Sequence, residues 1–249
     1  MEAKEAAVVP ADAFTELHPK LVVSTRPHSY EAEQFRVLRT SILFPKTGTR
    51  PRSILVTSTL PGEGKSFVSA NLAASIAQHI DTRVLLIDCD LRKPNLHSYF
   101  GVTPNKGLTQ VLQGKAAMPD VLMRTPIDRL MLLPAGHPPD NPSELLSSHK
   151  MREFLKEVTN RYSDRLVLID SPPPKLTAET GALARLVDGI LLVVRFQKAN
   201  REMAGELVEL VGKERIIGAV GNYLDLKALS YYGKSKYAGY GSYYGKKSR

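Results

Sequence analysis

The stretch STLPGEGKS, residues 58–66, decides how the rest of the chain is read. It follows SILVTS (53–58), a short β-branched run, and leads into KSFVSANLAASIAQH (65–79), where Val68, Leu72 and Ile76 recur four apart. The first run reads as a buried strand and the second as a helix. Gly62 and Gly64 let backbone N–H groups approach phosphate oxygens closely. The helix beginning near Lys65 points the positive end of its dipole at the same place. Thr59, Pro61, Gly62, Glu63, Gly64, Lys65, Ser66 and Phe67 are therefore the candidate nucleotide contacts. In this pattern Lys65 reaches the β- and γ-phosphates of ATP and Ser66 holds Mg2+. The full pattern has glycine at position 59, where Thr59 stands; the strand–loop–helix setting offsets that departure.

Moving outward, RVLLID (83–88) reads as a second strand, and Asp88 and Asp90 flank Cys89 just beyond it. In an extended segment positions i and i+2 share a face, so both carboxylates can serve one metal site beside the phosphate loop. Solvated loop acids or helix caps are the plainer alternative. Cys89 faces the core with no catalytic role, and as the one cysteine it forms no internal disulfide. RLVLID (165–170) has the form of a Walker B strand, with Asp170 in the magnesium shell.

The remaining periodicity fits the same plan. Helices are expected over 29–43, 148–162, 177–187 and 201–213, and strands over 129–136, 188–195 and 215–220. In the first helix Phe35, Leu38 and Ile42 fall on one face. Near-continuous apolar strands alternating with helices predict an α/β P-loop NTPase fold, a mostly parallel central sheet with helices on both faces. The expected organisation is an irregular N-terminal arm (1–28), the P-loop domain (29–225) and a flexible tyrosine-rich tail (226–249). No apolar run approaches the roughly 18 residues of a membrane span, and the start lacks a secretory apolar core, so a cytoplasmic location is expected. The six histidines have no metal-ligand spacing.

Net charge is +9, and the last nineteen residues carry five Lys or Arg and no acid. They also hold six of the ten tyrosines: Tyr231, Tyr232, Tyr237, Tyr240, Tyr243 and Tyr244. Glycines 233, 239, 241 and 245 make the segment pliant. One reading is a tail whose phenols accept phosphate in the pocket. Modification of all six would add roughly −9 to −12 of charge and reverse the tail's sign. The other is an aromatic, basic tail for RNA.

These pieces together resemble the bacterial tyrosine kinases of capsule and exopolysaccharide synthesis, which share ancestry with the deviant Walker ATPases. The resemblance rests on PGEGKS, LLIDCDLR, VLIDSP, LLPAGHPPDNPSELLSS, the Glu33/Arg36/Arg39 spacing and the closing tyrosine cluster, and covers roughly residues 30–249. It implies an ATP- and Mg2+-dependent tyrosine autokinase acting on its own tail and controlling polysaccharide synthesis and export. Lys65, Asp88, Asp90 and Asp170 would be catalytic, with Asp88 as base and magnesium at Ser66, Asp88, Asp90 and Asp170. Asn222 either meets the adenine or is an ordinary turn asparagine. Glu33, Arg36 and Arg39 either form an intrahelical ion pair or close a homo-oligomeric ring that feeds one subunit's tail into the next. The partners implied are a separate membrane activator, which would recruit the chain to the membrane's inner face, and a tyrosine phosphatase, with no specific nucleic acid. Pro174-Lys175 and Glu179 depart from the family's usual residues at the rim of the site. The alternative is a partitioning-type ATPase switch that binds DNA or membrane. Leu60 counts against it, because that branch carries a lysine there.

Overall fold

SILVTS, RVLLID and RLVLID place successive side chains on opposite faces of a sheet, and both faces are apolar. Ile54 and Val56, Val84 and Leu86, and Leu166 and Leu168 join one core cluster. Their alternates Leu55, Leu85, Ile87, Cys89, Val167 and Ile169 join a second. A sheet with two dry faces needs helices on both, and the chain supplies them. The computed structural model describes residues 15–161, 164–172, 179–198 and 201–224. In chain order the elements are α1 (Val22–Thr25), α2 (Tyr30–Leu43), β1 (Ser53–Ser58), α3 (Lys65–Ala77), β2 (Arg83–Asp88), α4 (Leu96–Tyr99), α5 (Leu108–Leu112), α6 (Met118–Val121), β3 (Met123–Arg124), β4 (Leu130–Leu133), α7 (Pro142–Ser147), α8 (His149–Arg161), β5 (Arg165–Asp170), α9 (Glu179–Ala184), β6 (Gly189–Arg195), α10 (Arg201–Val211) and β7 (Ile216–Asn222).

The strands form one seven-stranded sheet in the order β3-β4-β2-β5-β1-β6-β7. All pairings are parallel except β3 with β4, where Met123 faces Leu132 and Arg124 faces Met131. The loop after β1 and the ends of β2 and β5 therefore meet at one edge of the sheet, where such folds bind ligands. Helix α3 crosses the middle of one face and is buried nearly all round, including its polar Ser69, Asn71 and Ser75. Each has a partner: Ser69 in the site described below, Asn71 in the N-terminal stretch, and Ser75, whose hydroxyl donates to the Phe35 carbonyl. Ser29 caps α2 by accepting from the Ala32 N–H at 3.1 Å. Phe35 and Ile42 of that helix are buried, and Leu38 packs beside them.

The structure differs from the sequence expectations in several places, among them the helix α7, which was not expected. Residues 15–28, expected to belong to an irregular arm, contain α1 and place Leu21, Val22 and Val23 in the core. Asn71 pins them, accepting from the Val23 N–H and donating to the Lys20 carbonyl. The strand expected over 129–136 ends at Leu133. Gly107 packs so tightly on the Pro134 carbonyl, 2.1 Å from an added Cβ, that the chain after β4 is a close-packed loop. Between residues 91 and 128 four short elements, α4, α5, α6 and β3, appear where no periodicity announced them. The whole expected tail (226–249), with all six C-terminal tyrosines, and the first fourteen residues lie outside the described residues.

Candidate nucleotide and phosphoryl-transfer site

The loop from β1 to α3 turns through two left-handed glycines, Gly62 (φ 78°) and Gly64 (φ 90°). Gly64 is doubly fixed, because a Cβ there would also lie 2.1 Å from the Asn222 amide nitrogen. Gly62, Gly64, Lys65 and Ser66 line a cavity of about 380 Å3, completed by Phe67, Lys20, Asn95, Tyr99, Asn222 and Tyr223. The Arg195 guanidinium lies 4.4 Å from the centre of the Tyr223 ring, so the end of the cavity nearest β6 and β7 carries a cation–aromatic pair. Asn222 donates to the Glu63 carbonyl at 2.8 Å and accepts from the Tyr223 N–H at 2.9 Å.

Three carboxylates gather at the same edge. Lys65 Nζ meets Asp90 Oδ2 at 3.0 Å, with both side chains only 13% exposed. Asp88, at the end of β2, is enclosed: Oδ1 accepts from the Asp90 N–H and Oδ2 from the Leu96 N–H. It thus also caps the short α4. Asp170, opposite Asp88 in register, is fully buried, and its Oδ1 accepts from Ser69 Oγ at 3.1 Å. Among the described residues its Oδ2 has no hydrogen-bond partner.

The electrostatics follow from this crowding. Burial, then the Asp170 charge, pushes the Asp88 carboxyl up to about 8, against the pull of its two backbone N–H partners. Burial also raises Asp170, while Lys65 and the Ser66 and Ser69 hydroxyls favour its charged form. Burial alone would lower Lys65, but Asp170, Asp90 and Asp88 outweigh it and hold the ammonium above its ordinary value. Tyr99 is pushed up to about 12 by burial and by Asp170, so its phenol stays neutral. The buried Cys89 thiol is raised far from reactivity, in keeping with its lack of a catalytic role. A pocket that crowds acids around one lysine accepts a polyanion only with compensating cations. Among the described residues no three His, Cys, Asp or Glu side chains form a ready metal cage. The orphaned Asp170 oxygen beside Ser66 suits a metal bound by one or two carboxylates, with phosphate and water completing its shell.

The sequence-predicted residues divide into groups. Thr59, Pro61, Gly62, Glu63, Gly64, Lys65, Ser66 and Phe67 form one loop and helix start, with Asp88, Asp90 and Asp170 beside them. The Glu63 side chain, though, points into the loop rather than toward the cavity, and Thr59 is its partner. Glu33 and Arg36 are away from this site and make an ion pair at 2.7 Å. Arg39 donates to the Ser75 carbonyl, tying α2 to α3. Sequence reasoning missed Ser69, Tyr99 and the link from Arg92 to the fully buried Glu179 at 3.2 Å, which the Ser143 hydroxyl shares. Ser69 had a signal, lying one turn after Ser66 on the helix that leaves the loop.

Comparison with known proteins agrees with this geometry. Residues 54–230 match the CobQ/CobB/MinD/ParA nucleotide binding domain. The tyrosine-protein kinase YwqD of Bacillus subtilis is 38% identical over 86% of this chain and 90% of its own length. The putative tyrosine-protein kinase CapB of Staphylococcus aureus is 34% identical over 85% of the chain and 93% of its own. The kinase domain of the Escherichia coli tyrosine kinase ETK superposes with a TM-score of 0.75 at 33% identity, covering 85% of this chain and 84% of that one. The chain belongs to the bacterial tyrosine kinase family, a branch of these nucleotide-binding domains.

Proposed function

We propose that this chain is an ATP- and Mg2+-dependent tyrosine autokinase that phosphorylates its own C-terminal cluster, Tyr231, Tyr232, Tyr237, Tyr240, Tyr243 and Tyr244, and so regulates capsular or exopolysaccharide synthesis and export. The observation that carries the reading is the meeting of Lys65 with Asp88, Asp90 and Asp170 beside a glycine-turned phosphate loop. Among the described residues no helix is long and apolar enough to cross a membrane. A cytoplasmic kinase recruited to the membrane by a separate activator, and opposed by a phosphatase, fits that reading.

Phosphoryl transfer depends mostly on position and charge. The loop amides and Lys65 hold the β- and γ-phosphates. As Lys65 turns to the phosphates it releases Asp90. Ser66, Asp90 and Asp170, with Asp88 close by, would hold the magnesium, whose chemistry is to neutralise charge developing on the phosphate oxygens. The phenolic oxygen attacks the γ-phosphorus, the bond to the β–γ bridging oxygen breaks, and ADP leaves. The phenol's proton passes to Asp88. Burial raises the Asp88 carboxyl above an ordinary aspartate, which narrows its gap to a phenol near ~10, and a cation bound beside it would favour the charged form that accepts the proton. Glu33, Arg36 and Arg39 would close a ring in which one subunit's tail enters its neighbour's site. The intramolecular bonds of Arg36 and Arg39 are compatible with that role, because Arg36 remains 29% exposed.

Incubation of the full chain with radiolabelled ATP and magnesium, followed by mass spectrometry of the tail, tests the reading. Label on the six tail tyrosines is expected, lost in Asp88→Asn. Full labelling of Asp88→Asn would remove Asp88 from its assigned role. An unlabelled tail on a chain that binds ATP would remove the tail as substrate. Arg36→Ala is expected to yield smaller species by light scattering and weaker transfer between subunits.

A further inference from the structure

Glu63 is an acid inside a loop built for phosphate, where its charge opposes the ligand. Its side chain is 2% exposed, and each oxygen is engaged. Oε2 accepts from the Thr59 hydroxyl at 2.7 Å and from the Leu60 N–H at 2.8 Å. Oε1 accepts from the N–H of Arg195, the last residue of β6, at 3.1 Å. Its carbonyl accepts from Asn222, the last residue of β7. One residue thus clasps the beginning of the loop and fastens it to the ends of two strands. Those strand ends carry Arg195 and Tyr223, the cation–aromatic pair beside the cavity.

We propose that Glu63 is a positioning residue for ATP, its carboxylate locking the phosphate loop in its ligand-ready shape and coupling it to the Arg195–Tyr223 wall. This rests on the reading that ATP binds in this loop. Thr59 belongs to the same device. Glycine at that position, as the full pattern has it, would leave Oε2 with one donor fewer; the threonine hydroxyl supplies it. A loop ordered before the ligand arrives loses less freedom on binding, which raises affinity without touching the phosphates. Glu63 contacts none of the reacting atoms, so its removal acts on binding more than on the chemical step.

The test uses the full chain and its variants Glu63→Ala, Glu63→Gln and Thr59→Val. Autophosphorylation gives KM for ATP and kcat; calorimetry gives Kd for ADP; hydrogen exchange reads the amides of residues 59–66 with and without ADP. Glu63→Ala is expected to raise KM and Kd by ~10–100-fold with kcat within ~3-fold, as the loss of a buried acceptor for three donors implies. It should speed loop exchange in the free protein and much less in the ADP complex. Glu63→Gln recovers part of the loss, since its amide oxygen can serve Thr59 and Leu60 while its NH2 opposes the Arg195 N–H. Thr59→Val has a smaller effect, and the Gln and Val changes together are less than additive. Glu63→Ala with parental KM and Kd overturns the assignment. So does a fall in kcat that merely tracks the folded fraction in thermal melts. Should Glu63→Ala fail to fold, parental KM in Glu63→Gln overturns it equally. A parent that binds neither ATP nor ADP overturns the nucleotide reading itself; a parent that binds, with unaltered variants, overturns only the role of Glu63.

Discussion

Strands β2 and β5 run side by side, and each end of the pair sets like charges across from one another: Arg83 opposite Arg165 at the amino end, Asp88 opposite Asp170 at the carboxyl end. The two ends handle that conflict differently. At the amino end Asp164 stands between the arginines, 3.5 Å from Arg83 and 3.6 Å from Arg165, and Arg83 is 62% exposed to water. At the carboxyl end both acids are sealed from water, Lys65 is bonded to the third acid rather than to either of them, and one Asp170 oxygen lacks a hydrogen-bond partner among the described residues. One end is built for a quiet fold. The other keeps a charge tension that a bound cation and nucleotide would relieve, which is the usual mark of a working site.

The sharpest way to break this contrast is Lys65→Met. It removes the ammonium from among three carboxylates, and phosphoryl transfer measured with radiolabelled ATP is expected to fall by at least ~10²–10³-fold. A smaller effect follows from Asp88. Its folded value of about 8 lies above the ordinary 3.8, so between those values the folded protein holds a proton that the unfolded chain releases. The stability contributed by that proton is complete below about pH 4 and is lost as pH rises through about 8. Thermal melts of the nucleotide-free protein should show Asp88→Asn gaining on the parent by about 2–6 °C between pH 5 and pH 8.5. A parallel pH profile for the two proteins would show that the carboxyl end carries no such tension. The smallest effect belongs to the amino end. Asp164 is 53% exposed, so Asp164→Ala should cost no more than about 1 kcal/mol, fading in high salt, with ATP affinity unchanged. A large loss of ATP binding in Asp164→Ala would mean that the two ends are not separate devices.

The strands flanking the site were legible because they are buried on both faces and end in chemically distinctive residues: SILVTS runs into the glycine loop, and RVLLID and RLVLID into aspartates. Helices α3, α8 and α10 were long enough to show their period. The stretch from 91 to 128 was not legible, because turns of four or five residues have no period to read. There the fold is set by tertiary packing of Leu91, Leu96, Phe100 and Leu108, and by the approach of Gly107 to Pro134. The site was legible as a set of residue types, but its wiring was not. No local pattern joins Glu63 to Arg195, which lie 132 residues apart, or shows that a threonine at position 59 partners an acid four residues on. Asp88 and Asp90 are neighbours, the Asp90 N–H donating to Asp88 Oδ1 just past the end of β2. Their division into an enclosed carboxylate and a salt-bridged one depends on the α4 turn that the sequence hid.

Asn222 and Tyr223 form part of the cavity wall, so the polypeptide leaves the sheet at the lip of the nucleotide pocket. Tyr231 follows Leu224 by seven residues, a tether of at most roughly 25 Å. In a ring that brings a neighbour's pocket within that reach, Tyr231 would be present there at an effective local concentration on the order of millimolar. A free tyrosine peptide must exceed that level to compete, so selectivity for the chain's own tyrosines would need no sequence-reading groove at all.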